Sequence, residues 1–471
     1  MRNARLLSLV LCAAPTALFA QSMAGTAQGD VSVTIYNDNL ALVQDVRQLN
    51  IPAGGTRLEF PDVSAQIRPE TVSFNAADAS IVEQNFDFDL LSPDKLMEKA
   101  VGQTVTIVRT NPATGTETRQ QAKVLAVNGG VVLQIGNQIE VLRDDGLPVR
   151  VIFDKVPPNL RPRPTLSITV DSERAGTRPA SLRYLTPGLG WSADYVALYD
   201  EKAGRIDVQG WVTLTNNSGT TYHNADTLLV AGSVNQGPRN GGVRPMIYPP
   251  RPTPNNIRQA GTETAGREQL GDYYLYPISG RTTIADRQTK QVSFLDVQGV
   301  PARRAYEYSV GWLQTIEEPQ SFNTVLKFSS SAKGGLGDAL PAGTVRFYMK
   351  DASGAPQFIG ENGIGHTPMG SELALATGEA FDVKVKTTVE KRERLSPSRW
   401  RSTMRYEITN AKAQPVQVDL TQAGLDFWLE DTRIVEESHK SRRVSSNATR
   451  WTVDVPANGS AGVTATFETR Y

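Results

Sequence analysis

Three histidines are the scarcest versatile side chains in the sequence: His223 in "TTYHNAD", His366 in "GIGHTPMG" and His439 in "EESHKSRR". A nucleophilic triad needs a serine at one imidazole nitrogen and a carboxylate at the other. Neither Gly-x-Ser-x-Gly nor His-Glu-x-x-His accompanies them. His366, between glycines and before Thr-Pro, reads as a loop histidine capping a turn. Ser192 sits between Trp191 and Ala193 in "YLTPGLGWSADYVAL", whereas a nucleophile elbow frames its serine with glycines. Ser92 and Lys95 in "SPDK" match the Ser-x-x-Lys of penicillin-recognising enzymes. The partner motifs Ser-Asp-Asn and Lys-Thr-Gly are absent, and helix capping accounts for Ser-Pro-Asp. Asp87 and Asp89 of "DFD" share a strand face, and paired carboxylates about 5–10 Å apart would suit glycoside hydrolysis. No aromatic platform lies beside them, and "NDN" at 37–39 lacks EF-hand spacing for calcium. The residues assign no catalytic, cofactor-binding or metal site and no cofactor.

Anion recognition is the chemistry with the most residues behind it. Between Lys384 and Arg405 the chain reads "KVKTTVEKRERLSPSRWRSTMR", eight basic residues against two acidic. Arginines fork onto oxyanions and a tryptophan adds stacking area, so Arg399, Trp400, Arg401 and Arg405 are the candidate anion-binding patch. A second basic run, "HKSRR", ends at Arg443. In a small sandwich both runs fit one face. The competing reading is a charged strand edge that blocks sheet-to-sheet pairing.

The elements that would position these residues are strands. "VSVTIY", "LALVQDVRQLNI" and "TRLEF" alternate with period two and are separated by Asn, Asp, Gly and Pro. "LLSPDKLMEKAVG" is the helical exception, with Ser92 as N-cap, Pro93 at the first position and Gly102 at the end. The spacing predicts an all-β, multidomain fold of antiparallel β-sandwiches. Residues 25–94 form N-terminal sandwich strands and 95–150 a small inserted SH3-like barrel with a tight turn at "NGG" (128–130). Residues 151–232 continue the sandwich. Residues 233–272, rich in Gly, Pro, Asn and Gln, read as a disordered insertion. Residues 273–385 form a central β domain, and 386–471 an immunoglobulin-like C-terminal sandwich. In the opening stretch the glycines bend the chain while Trp191 and Tyr195 fill the corner between sheets.

The N-terminus has the build of a secretory signal peptide over residues 1–24. Arg2 and Arg5 precede an apolar run too short to span a bilayer, and small residues place cleavage between Ala20 and Ala24. Cys12 is the only cysteine, and the Leu11 before it does not suit a lipobox. The mature chain therefore has no disulfide, no cysteine nucleophile and no zinc-thiolate site. Removing Arg2 and Arg5 from 49 basic residues leaves 47 against 49 acidic, a net charge near −2. No global field would hold such a chain on nucleic acid or a membrane surface. Periplasmic residence follows, with outer-membrane association or secretion as variants of it.

The segment "YLTPGLGWSADYVALYDEKAGRIDVQGWVTLTNNSGTTYHNADTLLVAG" resembles the core of a bacterial family of exported proteins of unknown function. Some relatives are labelled mucoidy-inhibitor-like. Trp191, Tyr195, Trp211, Asn216, Asn217 and the "DTLLVAG" strand carry the likeness. "YNDNLALVQDVRQLNIPAG", "RTTIADRQTKQVSFLD" and "LPAGTVRFYMKDASGAPQFIGENGIGHTP" extend it over most of the chain. The resemblance implies an envelope location and a β-rich build, and brings no catalytic residues. The expected role is a non-enzymatic structural or interaction module, partnered by an envelope protein or an anionic envelope polymer. The alternatives are a periplasmic hydrolase or carbohydrate-active enzyme, and a polysaccharide-binding or regulatory factor affecting capsule.

Overall fold

The computed structural model describes residues 25–37, 39–87, 90–142, 149–157, 160–232, 234, 256–264, 266–426 and 432–470. The expected leader and Asp89 lie outside them. Among the described residues there are thirty-one strands, one α-helix and one 3-10 turn, so the all-β expectation holds. The described residues fall into two compact units, one within 25–30, 45–63 and 74–181, the other within 31–44, 64–73 and 182–470. The sequence blocks at 25–94 and 151–232 are thus shared between the units, because neighbouring strands in the chain are not always neighbours in a sheet.

In the first unit Thr165–Ser172 runs antiparallel to both Gly54–Pro61 and Ala79–Asp87. Its Leu166, Ile168 and Val170 are fully buried. The inserted subdomain is a five-stranded antiparallel sheet in which Val149–Ile152 returns to pair with Thr104–Thr110. Its helix is Pro93–Lys99, where Ser92 Oγ accepts from the Lys95 amide at 3.2 Å. Met97 and Ala100 then pack on Val105, Ile107, Val124 and Leu133. The subdomain therefore begins at the helix, slightly before residue 95. Gly129 closes the tight turn with φ +67.

The second unit holds the rest of the architecture. Leu189–Asp200 is the centre of a five-stranded sheet, antiparallel to Arg205–Asn216 and parallel to Gly343–Lys350. Its burial alternates strictly, with Trp191 and Tyr195 inward and Ser192 outward. Tyr195 Oη donates to the Pro341 carbonyl at 2.8 Å, and Trp191, Tyr195, Tyr276 and Phe294 form one aromatic cluster. Gly188, at φ +95, is needed at the bend, because a Cβ there would lie 2.7 Å from Ser218 Cα.

A ten-stranded sheet completes this unit by doubling over one core. One side carries Met404, Tyr406 and Ile408, the other Trp451, Val453 and Val455, and the Tyr406 and Trp451 rings meet at 5.5 Å. The sandwich does not begin at residue 386. Glu372–Ser396 is one unbroken strand across that position, and Arg303–Val310 and Ile316–Ser329 belong to the same sheet. Phe322, Leu313 and Val310 fill its core, so the expected boundary cuts through a hydrophobic cluster.

The disorder expected at 233–272 is also corrected where the chain is described. Ile257–Gln259 adds to the edge of Glu372–Ser396, and the Ala374 amide donates to the Asn256 carbonyl at 2.8 Å. Gln269–Leu270 pairs with Tyr273–Pro277. Arg267 makes an ion pair with Asp338 at 2.6 Å and lies 4.3 Å over the Tyr276 ring. Backbone hydrogen bonds and a stacked guanidinium order this stretch, although it has few apolar side chains to bury. Residues 235–255 lie outside the described residues.

Candidate functional site

The two basic runs do not share a leaf of the sandwich. Arg399, Trp400, Arg401 and Arg405 lie on the strand Arg399–Asn410, paired on one side with Glu372–Ser396 and on the other with Gly459–Arg470. Arg442 and Arg443 lie on the last strand of the opposite side, with five strands between the two in the sheet order. Three of the first run's eight cations, Lys391, Arg401 and Arg405, are ion-paired among the described residues. Arg401 bonds Glu468 at 2.6 Å, Arg433 takes that carboxylate's other oxygen at 2.8 Å, and Arg405 meets Glu390 at 3.2 Å. The hydrogen bonds from Arg433 and Arg401 pull Glu468 down to about 2. The Trp400 ring lies 5.9 Å from the Arg394 guanidinium, which already stacks on it. Of the three patch arginines, Arg399 alone has no ion-pair partner among the described residues.

A different basic site emerges where the sheet turns over. A cleft of about 680 Å³ opens between Arg303–Val310, Ile316–Ser329, Val416–Gln422 and Ala448–Val455. The Gly204 turn and the edge strand Ile257–Gln259 form its rim. A hollow of about 390 Å³ continues it past Gly204, Arg303 and Asp419 towards Lys412. Five cations line the cleft: Arg258, Arg303, Lys327, Arg442 and Arg450. Glu372 and Asp419 are its acids, with Glu307 behind them.

Pairing divides these cations into two sets. Lys327 Nζ lies 2.7 Å from Glu307 and 2.9 Å from Asp419, all three side chains being largely buried. Arg258 takes the other Glu307 oxygen, and Thr452 donates to Asp419 at 2.8 Å. Burial opposes ionisation of Asp419, but the hydrogen bonds from Lys327 and Thr452 and the charges of Lys327 and Arg450 outweigh it. The net effect holds its carboxyl below the ordinary range. Arg303, Arg442 and Arg450 are the second set, without a carboxylate partner among the described residues.

The register makes this surplus unusual. Arg442 is directly opposite Arg450 on adjacent antiparallel strands, and Arg303 is directly opposite Lys327. Like charges in such positions are destabilising, on the scale of about 0.2–1 kcal/mol per cross-strand pair. The carboxylates pair directly with Lys327. Arg450 feels Asp419 only at longer range and donates to Thr421 Oγ1 at 3.2 Å. Neither Arg442 nor Arg450 has an ion-pair partner among the described residues.

The sequence hides most of this site. Arg442 belongs to "HKSRR", but Lys327 and Arg450 are single charges in ordinary alternating strands, and Arg303 is half of a short Arg-Arg pair. Arg258 falls in the stretch whose composition predicts disorder. Only strand order brings them together.

The histidines are placed apart from the cleft's lining. His366 Nδ1 accepts the Ala342 amide at 3.2 Å, as a turn-capping histidine would. His439 Nδ1 lies 3.0 Å from the Oγ of its chain neighbour Ser438, which also accepts the Thr464 amide. Among the described residues no three His, Cys, Asp or Glu side chains converge as a metal site, and no helix is long and apolar enough to cross a membrane. No protein-family model and no curated protein matches the chain.

Proposed function

We propose that this chain is a non-enzymatic interaction module of the bacterial cell envelope, exported to the periplasm, and that the cationic cleft is its working surface. The observation that carries the reading is the set of Arg303, Arg442 and Arg450, gathered at one cleft without an ion-pair partner among the described residues. A binding site is the arrangement that explains an uncompensated like-charge pair kept in a folded protein. The leader-like N-terminus and the resemblance to an exported family support the envelope setting. A hydrolase reading has less behind it, since His366 and His439 are engaged with loop and turn groups.

The test is cross-linking in cells followed by affinity capture of the full exported protein. Wild type should recover a stoichiometric envelope partner or an anionic polymer. The double variant Arg442→Gln, Arg450→Gln should lose it while being exported in equal amount. Recovery that is the same for both proteins would show the cleft to be unrelated to partner binding.

A further inference from the structure

Resting on that reading, we infer that the cleft takes an acidic oligosaccharide, with one of its oxyanions bridging the guanidiniums of Arg442 and Arg450. The cross-strand register places these two side chains on the same face of adjacent strands, at the spacing of opposed residues. One carboxylate, sulfate or phosphate oxyanion between them would accept forked hydrogen bonds from both and replace repulsion by two attractions. Arg303 lies on another strand of the same cleft, so a second anionic group on the same ligand has a partner of its own.

The rest of the surface selects a sugar chain over a lipid or a peptide. Ala302, Phe328 and Leu373 contribute to the lining but are 8%, 4% and 1% exposed, so the cleft offers no apolar slot for an acyl chain. It also lacks the apolar anchor pocket on which peptide complexes depend. What it presents beside the cations is the Gln259 amide and the side-chain oxygens of Gln417 and Thr452, whose donors are held by Asp454 and Asp419 and whose oxygens remain able to accept from sugar hydroxyls. Its volume is within the ordinary range for a ligand site, about 300–1,000 Å³. The hollow running on from it gives a chain somewhere to continue, past Arg303 towards Lys412.

Titration calorimetry on the purified full chain tests this, with oligogalacturonate, a neutral dextrin of equal length, inorganic phosphate and phosphatidylglycerol vesicles as probes. The oligogalacturonate should bind at about 0.02 M salt and weaken towards about 0.15 M, where the screening length is about 8 Å. The dextrin and the vesicles should not bind, and phosphate should bind far more weakly. Arg442→Gln with Arg450→Gln should weaken the uronate at least about tenfold. Arg399→Gln with Arg405→Gln should leave it unchanged. The cleft double variant should also be as thermally stable as wild type or more so, because it removes a repulsion. Loss of stability would instead mark the two arginines as structural and overturn the clamp. Equal binding of phosphate, binding to the vesicles, or no binding of the uronate would each overturn the sugar assignment. If the uronate fails while capture in cells still depends on Arg442 and Arg450, the ligand class falls and the interaction reading stands. If both fail, both fall.

Discussion

At the scale of single residues, the stretch Tyr184 to Leu198 separates chemistry from packing. Trp191 is 5% exposed with its ring against Tyr276, whereas Ser192 points outward one position along. Trp191→Ala should lower stability by about 3–5 kcal/mol, the range for truncating a buried large aromatic. Trp191→Phe should lower it distinctly less, because the indole nitrogen has no hydrogen-bond partner among the described residues. Ser192→Ala should stay within about 0.5 kcal/mol of wild type, as exposed positions do. Denaturant melts of the three variants check this, and a Ser192→Ala protein that folds normally but loses partner capture would restore a functional serine. The inward and outward positions were legible in the sequence, since period-two alternation assigns faces without tertiary information.

At the scale of elements, strand pairing decides what can stand alone. The fragment 386–471 has the length and turn spacing of an independent sandwich. It lacks the strands that carry Val310, Phe322, Val383 and Val385 and the connection that carries Leu313, all at most 3% exposed. Burying such side chains contributes about 1.5–3 kcal/mol each, and together they match or exceed the roughly 5–15 kcal/mol that keeps a domain folded. The isolated fragment should therefore show no cooperative thermal transition and should bind a hydrophobic dye. A sharp melt of the fragment would mean that its remaining strands close a core by themselves. Residues 256–272 make the complementary point. Their composition predicts no core and they build none, yet an edge strand and the Arg267–Asp338 pair order them.

At the scale of the whole molecule, net charge near zero conceals organised local electrostatics. Glu468, Asp419, Glu437 and Asp351 are all held below the ordinary carboxyl range by donors around them. A carboxyl depressed in the folded state adds stability above its unfolded value, and that contribution disappears as pH falls through the folded value. For Glu468 the window runs from 4.5 down to about 2. Stability of the full chain should thus fall steadily on acidification across that window. Glu468→Gln should lower the melting temperature at neutral pH and flatten the acid slope of the second unit's transition. An unchanged slope would mean that the Arg401–Glu468–Arg433 bridge adds nothing to the folded state.

Alternating hydrophobicity, turn residues and one helix cap determine the all-β class and the helix at Pro93–Lys99 from the sequence alone, because these signals act within a few residues. Which strands become neighbours is not local. Among the described residues Asp30–Tyr36, Leu189–Asp200 and Arg303–Val310 each have a parallel neighbour, and the C-terminal sheet recruits strands from residue 303 onward. Such contacts depend on which buried faces fit one another, a property of the folded chain. The same holds for the charges. A run such as Lys384 to Arg405 is visible in one dimension, but that Arg401 and Arg405 within it are ion-paired by Glu468 and Glu390 is decided in three. Lys327 and Arg450 are isolated in the sequence, and Arg303 is half of a short Arg-Arg pair. Only the register of the folded sheet sets Arg450 opposite Arg442 and makes of them a site.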